Sequence, residues 1–196
     1  MTHSAADVFE LPLFPLQTVL FPGGTLALRV FEPRYLDMVA RCLRERRPFG
    51  VVAIRQGTEV GRAETFAVGT TAEIADWNRE PNGLLGLRAV GRQRFRLETV
   101  QRQADGLYLG RASWLPEPAP APLPAPLVAL AELLRGMFGP DVADARFDDA
   151  EWVGFRLAEM LPLAMGLKQS LLELAEPVAR LERLAAILER GGRRAE

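Results

Sequence analysis

The only lysine of this chain, Lys168, limits the chemistry open to it more sharply than any other residue. A phosphate-binding loop needs a glycine-rich run closing in Gly-Lys and then Ser or Thr, because backbone N–H groups cradle the phosphates while the lysine reaches the outer ones. Lys168 stands between Leu167 and Gln169, so nucleotide hydrolysis by that route is excluded. A serine-lysine peptidase dyad fails as well: Lys168 and Ser170 fall two apart on a predicted helix, which turns them about 200° from one another around its axis. The one cysteine, Cys42, lies on the apolar stripe of an earlier predicted helix, where a thiol is ordinarily buried and inert, and the one histidine, His3, belongs to a terminal segment. A single His and a single Cys make no zinc constellation. Asp141, Asp144, Asp148 and Asp149 are the densest acid cluster, but they lack the spacing and glycine of a calcium loop, and helix caps and solvated loop account for them. No catalytic group, metal or cofactor is expected, so the chain reads as a non-enzyme.

Binding chemistry is better represented. Arg92, Arg94 and Arg96 alternate along a predicted strand, which would place all three on one face. Residues 79–111 carry seven Arg against Glu80, Glu98 and Asp105, so an anion-binding face is one reading of them. Arginine supplies 23 of the 24 basic side chains, the net charge is −1, and aromatics for base stacking are few; a solvated face is the simpler expectation. Phe21 beside Pro22-Gly23-Gly24, Trp77 near the Asn82-Gly83 turn, and Trp114 are the aromatics expected at loop tips, where they would present apolar surface to a protein partner. With Pro22 they form the candidate protein-binding set.

The elements that would hold these residues follow from pattern. Leu11-Pro12-Leu13-Phe14-Pro15-Leu16 is apolar but broken by proline, which cannot donate to a ladder, so it reads as an edge strand. Leu26 to Phe31 alternates, and Pro33 stands where a first helical residue should stand. Tyr35, Leu36, Val39, Cys42 and Leu43 then recur at helical spacing, giving an amphipathic helix near 33–46 that covers a sheet with Arg34 on its polar side. Gly86 and Gly91 suggest bulges in a long return strand, Asn82-Gly83 and Asp105-Gly106 mark hairpins, and the whole of 1–115 reads as a small β-barrel with one helix. Residues 116–126 place proline at every second position, a stiff strap whose even spacing lacks the P-x-x-P pattern. From 127 to 196 the pattern becomes helical, with a capping signal at Asp148, a third helix over 167–176, and a fourth opened by Pro177 and stopped at Gly191-Gly192.

The wording FPLQTVLFPGG and FEPRY, followed in order by Val68-Gly69-Thr70-Thr71-Ala72-Glu73-Ile74, Gly91-Arg92-Gln93-Arg94-Phe95, and Leu161-Pro162-Leu163 ahead of Lys168-Gln169, resembles the N-terminal domain of the Lon protease family, especially its free-standing bacterial form. The resemblance implies an α+β fold, a PUA-like barrel followed by an α-helical bundle. It also implies a function: recognition of protein substrates, with unfolded or client proteins and a separate ATP-dependent protease as expected partners. The expected product is a complete stand-alone module that holds exposed hydrophobic segments or acts as an adaptor. Two other readings stand beside it, an RNA-binding barrel using Arg92, Arg94 and Arg96, and an enzyme with a pocket in the barrel. Nucleic acid is not the expected partner.

Composition sets the outer bounds. At 48% hydrophobic and 25% charged residues the chain is neither disordered nor membrane-spanning by helices, and no apolar run approaches the roughly 20 residues that a bilayer demands. One cysteine allows no internal disulfide, and Met1 to Asp7 lacks the basic head and apolar core of a signal peptide, so a reducing cytoplasm is expected.

Overall fold

The computed structural model describes residues 8–59, 61–81, 84–139 and 145–192. His3, the Asn82-Gly83 turn, Pro140, Asp141 and Asp144 lie outside them. The chain divides into two compact units, Met1–Pro116 and Glu117–Glu196.

The first unit is a seven-stranded, mostly antiparallel sheet with one helix: β1 (Val8–Leu16), β2 (Thr25–Val30), α1 (Pro33–Glu45), β3 (Phe49–Gly57), β4 (Ala63–Thr65), β5 (Val68–Arg79), β6 (Leu85–Arg102) and β7 (Tyr108–Trp114). The strands run in the order β1-β7-β6-β5-β3-β4, and a parallel pairing of β1 with β3, from Leu13 opposite Gly50 to Leu16 opposite Ala53, returns the order to its start. β1 is therefore not an edge strand. It pairs with β7 over Val8–Leu13 and with β3 over Leu13–Leu16, so Pro12 and Pro15 each fall where one side of the strand is unpaired and the missing N–H costs no ladder bond.

β1 and β3 are covered on both faces, so they show runs of buried residues rather than alternation. One face gathers Leu11, Leu13, Val52, Phe95 and Ala112. The other gathers Phe14, Phe49, Val51, Leu87 and Ala89 under Tyr35, Met38, Val39 and Cys42 of α1, with the Phe14 and Tyr35 rings stacked 4.0 Å apart. α1 opens with Pro33 at its first turn and ends on Arg46 at φ 52°. Its polar face is not as the spacing predicts: Arg34 is buried, bonded to the Gly106 carbonyl at 2.8 Å and paired with Glu32 at 2.7 Å. Gly106 closes the β6–β7 hairpin at φ 88°, where the Leu107 N–H donates to Asp105.

The second unit holds a short 3-10 turn (Ala125–Leu127) and four helices, α2 (Val128–Phe138), α3 (Ala150–Met160), α4 (Met165–Glu173) and α5 (Pro177–Gly192). α3 touches the other three helices. Its N-cap is Asp149, one residue later than the spacing predicts, and the carboxylate accepts from the N–H groups of Glu151 and Trp152 at 2.8 and 3.0 Å. The proline strap ties into this start through its odd-numbered residues: Leu123 N–H donates to the Asp148 carbonyl, and Ala150 N–H donates to that of Ala121. α5 runs through Gly191 to Gly192 rather than stopping before them.

Candidate functional site

Lys168, Ser170 and Cys42, the described residues that the sequence singles out for possible catalysis, are each held within the fold. Lys168 Nζ donates to the Glu159 carbonyl at 2.7 Å, and partial burial lowers its pKa; Ser170 Oγ donates to the Leu167 carbonyl at 2.8 Å. The two side chains serve different carbonyls and do not meet. Cys42 is buried, and desolvation pushes its thiol up to about 11, which keeps it protonated and unreactive near neutrality. Among the described residues no group of three His, Cys, Asp or Glu could hold a metal ion.

The aromatic candidates separate. Phe21 is 0% exposed, contrary to the expected loop-tip presentation. The reason is local. Gly91 exchanges backbone bonds with Gly23 and Gly24, and Thr70 Oγ1 donates to the Leu20 carbonyl at 2.6 Å, so the loop before β2 is drawn down and its phenylalanine turned inward. Any Cβ on residue 91 would collide with the Phe21 carbonyl. Pro22, next along, is half-buried. Trp114 is half-buried and stacked on Phe9 with centroids 4.0 Å apart. Trp77 alone is presented to solvent, at 55% exposure.

The arginine stripe does not form as a single exposed face. A register shift between Thr70 and Ala72 gives β6 an extra residue opposite, which puts Arg92 out of phase with Arg94. Arg94 is only 5% exposed, while Arg92 binds Glu73 at 2.7 Å and Arg96 faces solvent.

What the structure does place on the α1 side of β5 is two groups of apolar side chains. Trp77, Leu87 and Leu28 lie in one cross-strand row. Leu43 and Ile74 line a shared hollow of about 320 Å³ with Arg46, Arg47 and Glu73. Leu36 stands two turns from Leu43 on the same face of α1, and Phe31, just before the helix, is 60% exposed. The periodicity places Leu36 and Leu43 on the covered face; the apolar stripe of α1 is wider than the sheet beneath it, and its margin stays open. Counting that surplus is the signal that would have found them, whereas nothing in the sequence distinguishes Phe31 from its buried neighbours. A wider hollow of about 600 Å³ takes in that Trp77, Leu28 and Leu87 row together with Arg29, Asp76 and Glu80, and is crossed by an Arg29–Glu80 pair at 3.0 Å.

Residues 10–190 match the family of the ATP-dependent protease La (LON) substrate-binding domain. A Lon N-terminal domain protein from Xanthomonas campestris is 41% identical, with a TM-score of 0.81 over 91% of this chain and 98% of that one. Lon protease 2 of Herpetosiphon aurantiacus is 30% identical over 205 residues, and protein cereblon of Danio rerio is 39% identical over 120 residues, 59% of this chain. The N-terminal domain of Mycobacterium avium complex Lon protease shares the fold at a TM-score of 0.63 and 13% identity. The chain spans 24% of the Herpetosiphon protein and 27% of cereblon, about a quarter of these curated relatives.

Proposed function

The chain belongs to the family of Lon substrate-binding domains, and from that premise we propose that it is a non-catalytic recognition module that holds exposed hydrophobic segments of unfolded protein clients. The family match over residues 10–190 carries this reading. The surface supports it: Leu43 and Ile74 line a hollow rimmed by Arg46, Arg47 and Glu73, and Trp77 and Leu36 are exposed apolar side chains. Pro22 and Trp114 extend the candidate set at half-buried positions; Phe21 is not part of it. The return of β1 to β3 favours reading the sheet as a small barrel that holds this surface rigid, and the helices of the second unit as a bundle.

Within this reading the module delivers its client to a separate ATP-dependent protease or adapts it to another machine in the cytoplasm. Immobilised protein exposed to a permanently unfolded, alkylated protein and to the native form of the same protein should enrich the unfolded form. Equal retention of the two would remove the reading. An RNA-binding barrel is disfavoured because the middle arginine of its proposed stripe is buried.

A further inference from the structure

β2 is bonded to β6 alone, and its second edge carries no cap, bulge or proline among the described residues. Which backbone groups face that edge follows from the register. Gly91 directs its N–H to the Gly24 carbonyl and accepts from Gly23, so Gly91 points toward β2. By alternation Ala89, Leu87 and Leu85 do the same, and their partners Leu26, Leu28 and Val30 spend their backbone groups on β6. Thr25, Ala27 and Arg29 therefore turn their N–H and C=O groups outward. Trp77 checks the phase: opposite Leu87, it should direct its N–H away from β6, and that N–H is bonded to Asp76 Oδ1 at 2.9 Å.

The same bond exposes a contrast. β5 leaves β3 after Ala72, and its freed edge is guarded by a register shift between Ile74 and Asp76 and by the Asp76 carboxylate on the Trp77 N–H. These are the devices by which a sheet refuses another strand. β2 has none of them.

We propose that the β2 edge pairs, antiparallel and about a two-fold axis through Ala27, with β2 of a second copy of this chain. The edge is self-complementary in that register. Thr25 lies opposite Arg29 and Ala27 opposite Ala27, each pair exchanging outward backbone bonds, and Arg29 never faces Arg29. Leu26 and Leu28 come side by side on the α1 face, continuing the apolar surface across the axis. One step beyond each end, the exposed Phe31 falls opposite the Pro22-Gly23 turn, which gives that ring an apolar neighbour. A single six-residue strand is a short strip, well under the ~1,200 Å² of a standard stable interface, so the dimer is a weak one that dissociates on dilution.

Sedimentation of the full-length protein across micromolar to millimolar concentration should show monomer passing to dimer. Ala27→Pro deletes an outward N–H and no β6 bond, so this variant should keep the wild-type unfolding transition and lose the dimer. Under mild oxidation Ala27→Cys should link chain to chain while Thr25→Cys, facing Arg29, should not; the buried Cys42 does not compete. A protein monomeric throughout that range would overturn the proposal, as would equal linking by both cysteine variants. So would an Ala27→Cys variant that couples only to an added extended peptide bearing cysteine, which would assign the edge to a client strand. Should Ala27→Pro fail to fold, the phase derived for β2 is wrong and the proposal falls with it.

Discussion

Two glycines that look alike in the sequence should respond oppositely to the same change. Gly91 bears the loop before β2 on its bare Cα, and Gly91→Ala drives a Cβ into the Phe21 carbonyl, a backbone atom that cannot step aside. A loss of about 3 kcal/mol in denaturant unfolding is expected. Gly136 is interior to α2 with nothing within 4 Å of its would-be Cβ, so Gly136→Ala should gain about 0.5–1 kcal/mol. Cys42 and Tyr35 supply a pH signature. Burial raises the thiol to about 11 and the phenol to about 12, so each favours its neutral form in the folded state. The contribution is complete below the unfolded values near 9 and 10, and is lost as pH rises through the folded ones, at about 1.4 kcal/mol per unit. Unfolding free energy should be flat near neutrality and fall above pH 9, and Cys42→Ala should remove the lower part of that fall. A Cys42→Ala variant with an unchanged alkaline limb would refute this assignment. Sequence alone revealed Cys42 as buried but misplaced Phe21 and Arg34, because their burial depends on Gly91 and Gly106, partners 70 and 72 residues away.

At the scale of elements, helix starts and the strand order carry different kinds of information. Pro33 and Pro177 announce α1 and α5 because the restriction they impose is local. The cap of α3 falls on Asp149 rather than Asp148, since adjacent aspartates satisfy the same local rule and the bond between Leu123 and Asp148 decides between them. Asp149→Ala should cost about 1 kcal/mol in unfolding, and Asp148→Ala should cost nothing through capping. The sharper device is Arg180 of α5, whose Nε donates to the Leu171 carbonyl at 2.9 Å while its guanidinium lies 3.8 Å over the Phe155 ring. It joins the end of α4 to α3 and α5. Arg180→Leu keeps bulk but strands buried carbonyls, for which about 2–4 kcal/mol is the expected loss by denaturant titration. No spacing rule marks that arginine, since it falls on an amphipathic helix like its exposed neighbours. The proline-broken opening of β1 misleads for a related reason: a proline forbids one ladder bond, and only the paired strands tell which side of β1 that bond would have used.

At the scale of the whole molecule, the chain belongs to the family of Lon substrate-binding domains, and the proposed function is recognition. Its one lysine and one cysteine are consumed by structure, both apolar clusters of the sheet unit lie inside residues 9–114, and the surface left over is apolar at Trp77, Leu43 and Leu36. The family was legible from motif order, and so was the exposure of Trp77 beside a turn; the burial of Phe21 was not, because it is set by backbone bonds to the distant Gly91 rather than by residue type. The measurement that bears most directly on this account is titration of wild type and Trp77→Ala with one permanently unfolded protein, its native form serving as control. The account predicts binding to the unfolded form alone and a weakening of roughly tenfold on truncating Trp77, the loss typical of an aromatic anchor. Binding that does not distinguish unfolded from native protein, or that is indifferent to Trp77, would contradict it.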